Sequence, residues 1–301
     1  MLPAILFFII GVAAIAVALL KWRELIGIDL VKRNSITWKA MVPAYMFFAS
    51  VSIGLALVAG SLYLLGIQEP RMVVAAILSL IPAWVLVILD LGRPDHILHM
   101  ITSFQPRSRI AWNLVFYSLY FLSLLWFLLL PSSISAIASM ALGILLESNL
   151  AMTMGTSTIE GWRGIGKIGI FWLSAAVLGL SVATAFGVYE PIALGFAVFA
   201  YLLINFWEYW LERYPLKLYL YFAVPLVLSL IHPLLAPLAV VGVFIEKMLG
   251  AYYPQLQRLQ REPYKLYYWK YGSEFADSKE SLIIGLNALG WIFFLVTSIL
   301  I

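Results

Sequence analysis

Apolar residues run through this chain in long blocks, without the short period of an amphipathic surface helix. Polar or Pro/Gly punctuation separates ten of them: 2–20, 41–66, 72–90, 110–130, 134–155, 168–186, 191–211, 216–231, 234–252 and 281–301. A helix needs about 20 apolar residues, at ~1.5 Å rise each, to cross a bilayer, so each block predicts a transmembrane span. The eighth and ninth have two parses. Only His232 and Pro233 divide them, and either two short spans or one kinked span with a re-entrant tail accommodates the pattern. The first block lacks a basic leader and a small-residue cleavage site, which predicts an anchor, not a removed signal peptide.

Composition fixes the class. Of 301 residues, 63% are hydrophobic and 11% charged, against ~25% charged in soluble domains. The expected fold is an all-α integral membrane protein of about ten helices, one polytopic domain over 1–301, with any chemistry among helices or in short loops and no nucleic-acid partner. With no cysteine in the chain, iron–sulfur ligation, thioether haem attachment and a thiol nucleophile are excluded within it. The three histidines do not suit a transmembrane b-type haem either. His96 and His99 share a loop, and His232 lies at the opposite surface.

Charge then orients the chain. If the first span starts outside, the loops 21–40, 91–109, 156–167, 212–217 and 253–280, with Lys247 at the end of the ninth span, carry all but Arg71 of the 19 Lys and Arg residues. By the positive-inside rule this predicts a multi-pass cell-membrane protein with basic loops in the cytoplasm and both termini outside. A soluble partner would find its docking surface on the basic side. Trp22, Trp38, Trp112, Trp162, Trp210 and Trp269 gather at the same boundary, as an aromatic belt does. The stretch 252–270 predicts an amphipathic segment in the headgroups.

Polar groups inside spans are costly and mark function more often than surface charges do. Here they are Tyr45, Ser50 and Ser52 in the second span, Asp90 closing the third, Asn113, Tyr117 and Tyr120 in the fourth, and Glu147 and Asn149 in the fifth. Later spans add Asn205, Glu208, Glu246 and Asn287. Tyr45, Asn113, Tyr117 and Glu147 lie ~5–12 Å inside the basic end. Asn113, Tyr117 and Tyr120 share a helix face by their spacing. Apolar walls with a few donors and one carboxylate form a pocket for a lipid-soluble molecule with hydrogen-bonding ends. Asn113 serves equally well as helix-to-helix glue. Glu208 and Glu246 are expected to be solvated, or paired with Arg213 or Lys247.

The third span ends in Asp90-Leu91-Gly92-Arg93-Pro94-Asp95, and the fourth opens with Gln105-Pro106-Arg107-Ser108-Arg109-Ile110-Ala111-Trp112. Acid and arginine can pair at a helix end, and glycine permits the turn. Together the two segments resemble the polysulfide reductase membrane-subunit family, the NrfD-like quinone-interacting proteins. Looser likeness extends to 45–54, 162–183 and 241–252.

The resemblance implies an eight-helix core of two four-helix bundles, 41–155 and 156–252. An extra N-terminal helix with its basic loop (1–40) and an interfacial segment with an extra C-terminal helix (253–301) flank them. It implies the membrane anchor of a respiratory oxidoreductase that exchanges two electrons and two protons with a quinone or quinol and is catalytic only within its complex. Electrons pass to or from a ferredoxin-like iron–sulfur partner, which serves a catalytic subunit of molybdopterin type. Carried over by position, Tyr45 and Tyr117 offer hydrogen bonds to the quinone head, and Asn113, Trp112 and Arg93 complete the expected quinone-binding set. Relatives often carry an acid where Asn113 stands. Asp90 and Arg93 hold the loop, with proton delivery as a second role for Asp90, and Glu147 exchanges a proton with the quinol. The competing class is a secondary transporter or ion-translocating subunit, which calls for polar groups at the bilayer midplane and broken helices in both halves.

Overall fold

In the computed structural model, residues 2–23, 40–90, 102–155, 162, 166–261 and 278–301 are described, and the account below concerns these. They form ten α-helices: α1 Leu2–Arg23, α2 Met41–Leu64, α3 Pro70–Asp90, α4 Arg109–Leu129, α5 Ser133–Gly155, α6 Gly166–Ala183, α7 Pro191–Leu211, α8 Leu216–Leu228, α9 Leu238–Arg261 and α10 Ser278–Leu300. Nine are long and apolar enough to cross a membrane. No strand occurs among the described residues.

The ambiguous eighth and ninth blocks form two helices, and the eighth is short. At 13 residues, α8 spans only ~20 Å. A 3₁₀ turn, Pro233–Leu235, follows, with His232 Nδ1 accepting from the Leu234 amide at 3.2 Å. The Ser181 hydroxyl of α6 ties that turn down by donating to the Ala236 carbonyl. Helix α9 then starts four residues later than the apolar pattern suggested and runs on to Arg261. The first half of the expected interfacial segment is thus the continuation of a transmembrane helix.

Helix contacts form two closed groups, α2–α5 and α6–α9, with α2 and α6 back to back between them. α2 is buried along nearly its whole length, which suits a segment with no polar face to offer water and no large face left for lipid. Where α2 crosses α6, Gly54 meets Gly179 so closely that a Cβ on either would strike the other helix's backbone. Small residues let membrane helices approach to backbone contact, and packing and lipid entropy then hold them.

Helices α1 and α10 pair with each other and lie against α3. Phe7 stacks on Phe293 with ring centroids 5.8 Å apart, and the indole of Trp291 donates to Ser79 Oγ of α3 at 2.9 Å. Exposed Leu, Ile, Phe and Val on the outer faces of α1, α7 and α8 are what hydrocarbon tails would cover.

Candidate functional site

Alternation of direction brings the first residues of α2, α4 and α6 and the last of α5, α7 and α9 to the basic face. Counting inward from there, Tyr45 is about 6 Å deep, and Tyr117 and Glu147 about 12 Å. All three are buried, and Glu147 has 0% exposure. Tyr117 lies within electrostatic range of Tyr45, Tyr120 and Glu147, and Tyr45 within range of Asp90. Helices α2, α4 and α5 thus converge on one polar cluster in an apolar interior.

Within it, Glu147 Oε1 is 2.5 Å from Ser50 Oγ, while Ser50 Oγ also lies 2.9 Å from the Met46 carbonyl. A serine hydroxyl has one hydrogen for these two acceptors. Either Ser50 donates to the carboxylate, or it donates to Met46 and Glu147 supplies the proton of the second bond. The pair can therefore hold a carboxyl group with or without its proton. Glu147 Oε2 and the Tyr117 hydroxyl are buried without any hydrogen-bond partner, an arrangement that costs ~1–3 kcal/mol per group unless a ligand or water satisfies it. Beside them, Ser52 donates to the Ala76 carbonyl at 2.7 Å and lies 3.1 Å from the Tyr120 hydroxyl, which holds Tyr120 in place.

Asn113 belongs to a different arrangement. Its Oδ1 accepts from Asn149 Nδ2 at 2.6 Å, and its own Nδ2 reaches Thr153 at 3.5 Å. Asn149 Nδ2 also bonds the Arg109 carbonyl at 3.3 Å. This network fastens the start of α4 to the end of α5 and leaves Asn113 little capacity for a ligand. Asn113→Leu is therefore expected to lower thermal stability by about 1 kcal/mol, read as a melting shift in detergent.

Trp112 is half-buried and donates to the Pro106 carbonyl at 2.9 Å, packed against Phe116 and Phe104. This suits a belt residue that also closes the helix start, where Ser108 caps α4 through the Ala111 amide at 3.3 Å. Asp90 ends α3 with its partners engaged, and Arg93 lies outside the described residues. Trp162 departs from the belt expectation. It has 0% exposure, and its indole donates to the Gly250 carbonyl at 2.9 Å, which fastens it to α9.

The acids of the second half also stand differently from expectation. Glu208 pairs with Lys167 at 2.6 Å instead of with Arg213. Glu246 is buried and accepts from the Tyr201 hydroxyl at 2.6 Å. Lys247 is 5% exposed, with Nζ 3.1 Å above the centre of the Phe171 ring. Because α9 continues past the expected end of its span, Glu246 and Lys247 stand 15 and 14 residues before its last residue, Arg261, about 20 Å along the helix axis and not at its rim. An adjacent Glu-Lys pair within an otherwise apolar run of α9 was the available signal.

A cleft of about 180 Å³ opens at the opposite ends of α2, α3 and α4, between Tyr63, Glu69, Val73 and Phe127. It touches none of the candidate residues. Among the described residues no cluster of His, Cys, Asp and Glu suits a metal ion.

Residues 30–147 match the family model described as polysulphide reductase, NrfD. The match contains Tyr45, Asp90, Arg93, Trp112, Asn113, Tyr117 and Glu147 and stops before α6. Over 101 residues the chain is 27% identical to a selenate reductase subunit from Mesobacillus selenatarsenatis, a stretch covering 31% of this chain. The aligned part spans about a quarter of that relative, 24% of its length.

Proposed function

We propose that this chain, whose residues 30–147 match the polysulphide reductase NrfD family model, is the membrane subunit of a redox enzyme complex and exchanges electrons and protons with a quinone held in α2–α5. The observation that carries the reading is the pair of partnerless polar atoms, Tyr117 Oη and Glu147 Oε2, buried in that apolar group. A quinone head, with carbonyl oxygens that accept hydrogen bonds and hydroxyls that donate them once reduced, matches such a pair.

When bound, the quinone supplies two-electron, two-proton chemistry. The chain's own part is to bind and to move protons. Tyr117, and Tyr45 nearer the basic face, donate hydrogen bonds that orient a head group. Glu147 exchanges a proton, with Ser50 turning to hold the carboxyl in whichever state results. The aromatic and aliphatic side chains around them exclude bulk water. Trp112 and Asp90 stand toward the basic ends of α4 and α3, and Asp90 can return protons there.

The electrons would come from, or go to, an iron–sulfur subunit docked on the basic side, and a molybdopterin-type catalytic subunit would complete the assembly. By the charge count that side faces the cytoplasm. The likeness to a selenate reductase supports an oxyanion-type reductase as one such assembly.

The test is direct binding of a naphthoquinone analogue to the full chain in nanodiscs, followed by tryptophan quenching. Replacing both Tyr45 and Tyr117 with phenylalanine is expected to weaken binding about tenfold, the worth of two modest hydrogen bonds. Wild-type protein that binds no naphthoquinone would remove the reading.

A further inference from the structure

Lys247 is a cation in the interior of a membrane protein with no hydrogen-bond partner for its ammonium group. Burying such a charge is expensive, and proteins offset the cost with a direct ion pair. The same molecule shows what that looks like. Lys167, at the basic end of α6, meets Glu208 of α7 at 2.6 Å.

Lys247 instead rests its Nζ over the face of Phe171, a cation–π contact that holds it without occupying its three donors. Two carboxyl groups lie within electrostatic range and neither is in direct contact: Glu147 of α5 and, on its own helix, Glu246. Lys167 of α6 is the other charged group that acts on it. Glu246 in turn is bonded to Tyr201 of α7 and feels Lys167 and Glu208. Tyr209 of α7 also lies within range of Glu246.

We infer that Lys247 is a swinging proton carrier that joins Glu147 to a second polar cluster, Glu246 with Tyr201, so that protons reach the quinone site from the basic face through α6–α9. The inference rests on the quinone reading of α2–α5. A lysine on a flexible four-carbon stem, parked over a ring with two acids within electrostatic range, can deliver a proton to one and collect one from the other.

In the reducing direction, two electrons from the iron–sulfur partner and two protons enter the quinone. Each proton given up by Glu147 is replaced from the Lys247 ammonium. The resulting amine is recharged from the Glu246 carboxyl. That carboxyl is refilled from the basic face past the Lys167–Glu208 pair, whose acid lies about 5 Å inside the end of α7. Oxidation runs the same chain backwards. Among the described residues the spans carry no carboxylate nearer the Arg71 side than Glu246, about 12 Å from the first residue of α9, so the route is one-sided. It exchanges protons with the basic face alone and does not cross the membrane.

The experiment uses the full complex in proteoliposomes, with quinol turnover, solvent deuterium isotope effect and naphthoquinone binding measured for Lys247→Met, Lys247→Arg, Glu246→Gln and Tyr201→Phe. Both Lys247 variants are expected to slow turnover about tenfold and raise the isotope effect, with naphthoquinone binding unchanged. Arginine keeps the charge but does not release its proton. Restored turnover in Lys247→Arg would show a charge holder and overturn the carrier. Wild-type turnover in Lys247→Met would overturn it too. Should neither Lys247 variant assemble, the other two decide, and wild-type rates with unchanged isotope effects in both would overturn the route. Failure of the wild-type complex to bind naphthoquinone removes the quinone reading itself and the carrier with it. Intact binding with unaffected variants removes the carrier alone.

Discussion

Glu147→Gln is expected to cut quinol turnover of the assembled complex about a hundredfold or more, the usual loss when a positioned proton donor is removed. Glutamine has the same shape, and its carbonyl oxygen can still accept the Ser50 bond that Oε1 makes at 2.5 Å. It has no acidic proton to give up at working pH. Because a fully enclosed carboxyl group is replaced by a neutral isostere, stability is expected to hold or rise slightly. Thermal unfolding in detergent, run beside the turnover assay, separates the two effects. A Glu147→Gln complex that turns over at the wild-type rate would make the residue a packing element and leave the site without its proton donor.

The largest structural effect is expected at the glycine crossing. Gly54→Ala puts a methyl group into the backbone of α6 at the Ala175 carbonyl and Gly179. Neither neighbour is a flexible side chain that could give way, so α2 and α6 must separate along the seam between the two helix groups. The cost should reach or exceed the top of the ~1–3 kcal/mol of ordinary overpacking. It outweighs the ~1 kcal/mol that alanine gains over glycine in a helix. Gly195→Ala in α7 is the matched control, since a Cβ there meets nothing within 4 Å, and it should be neutral or slightly stabilising. Melting temperatures of the three proteins by size-exclusion after heating give the comparison. Gly54→Ala melting with the control would mean that the crossing tolerates separation.

The α2–α5 cluster was visible from residue types and depth alone. Tyr45, Tyr117 and Glu147 are polar groups in hydrocarbon-length runs, and a group that water cannot reach must find its partner inside the protein. Their depth follows from the number of residues between each and the loop. The same counting misplaced Glu246 and Lys247, because the end of an apolar run is not the end of a helix. Helix α9 continues into Tyr252, Gln255 and Gln257, whose backbones stay hydrogen-bonded whatever their side chains prefer. Asn113 is readable in the sequence as either ligand-facing or structural, and its partners Asn149 and Thr153, 36 and 40 residues away, are visible only in the fold.

Composition and the length of the apolar blocks by themselves determine that this chain is a bundle of membrane helices with a basic face. The bilayer imposes one length and one backbone solution on every span, and local sequence is enough to meet both. Which helices touch, and therefore that Glu147 has Ser50 beside it and Lys247 within reach from α9, is decided only in the tertiary structure. Those neighbours come from positions about a hundred residues away. Their meeting depends on backbone contact at Gly54 and Gly179, which hydropathy, the same on every side of a helix in lipid, does not encode.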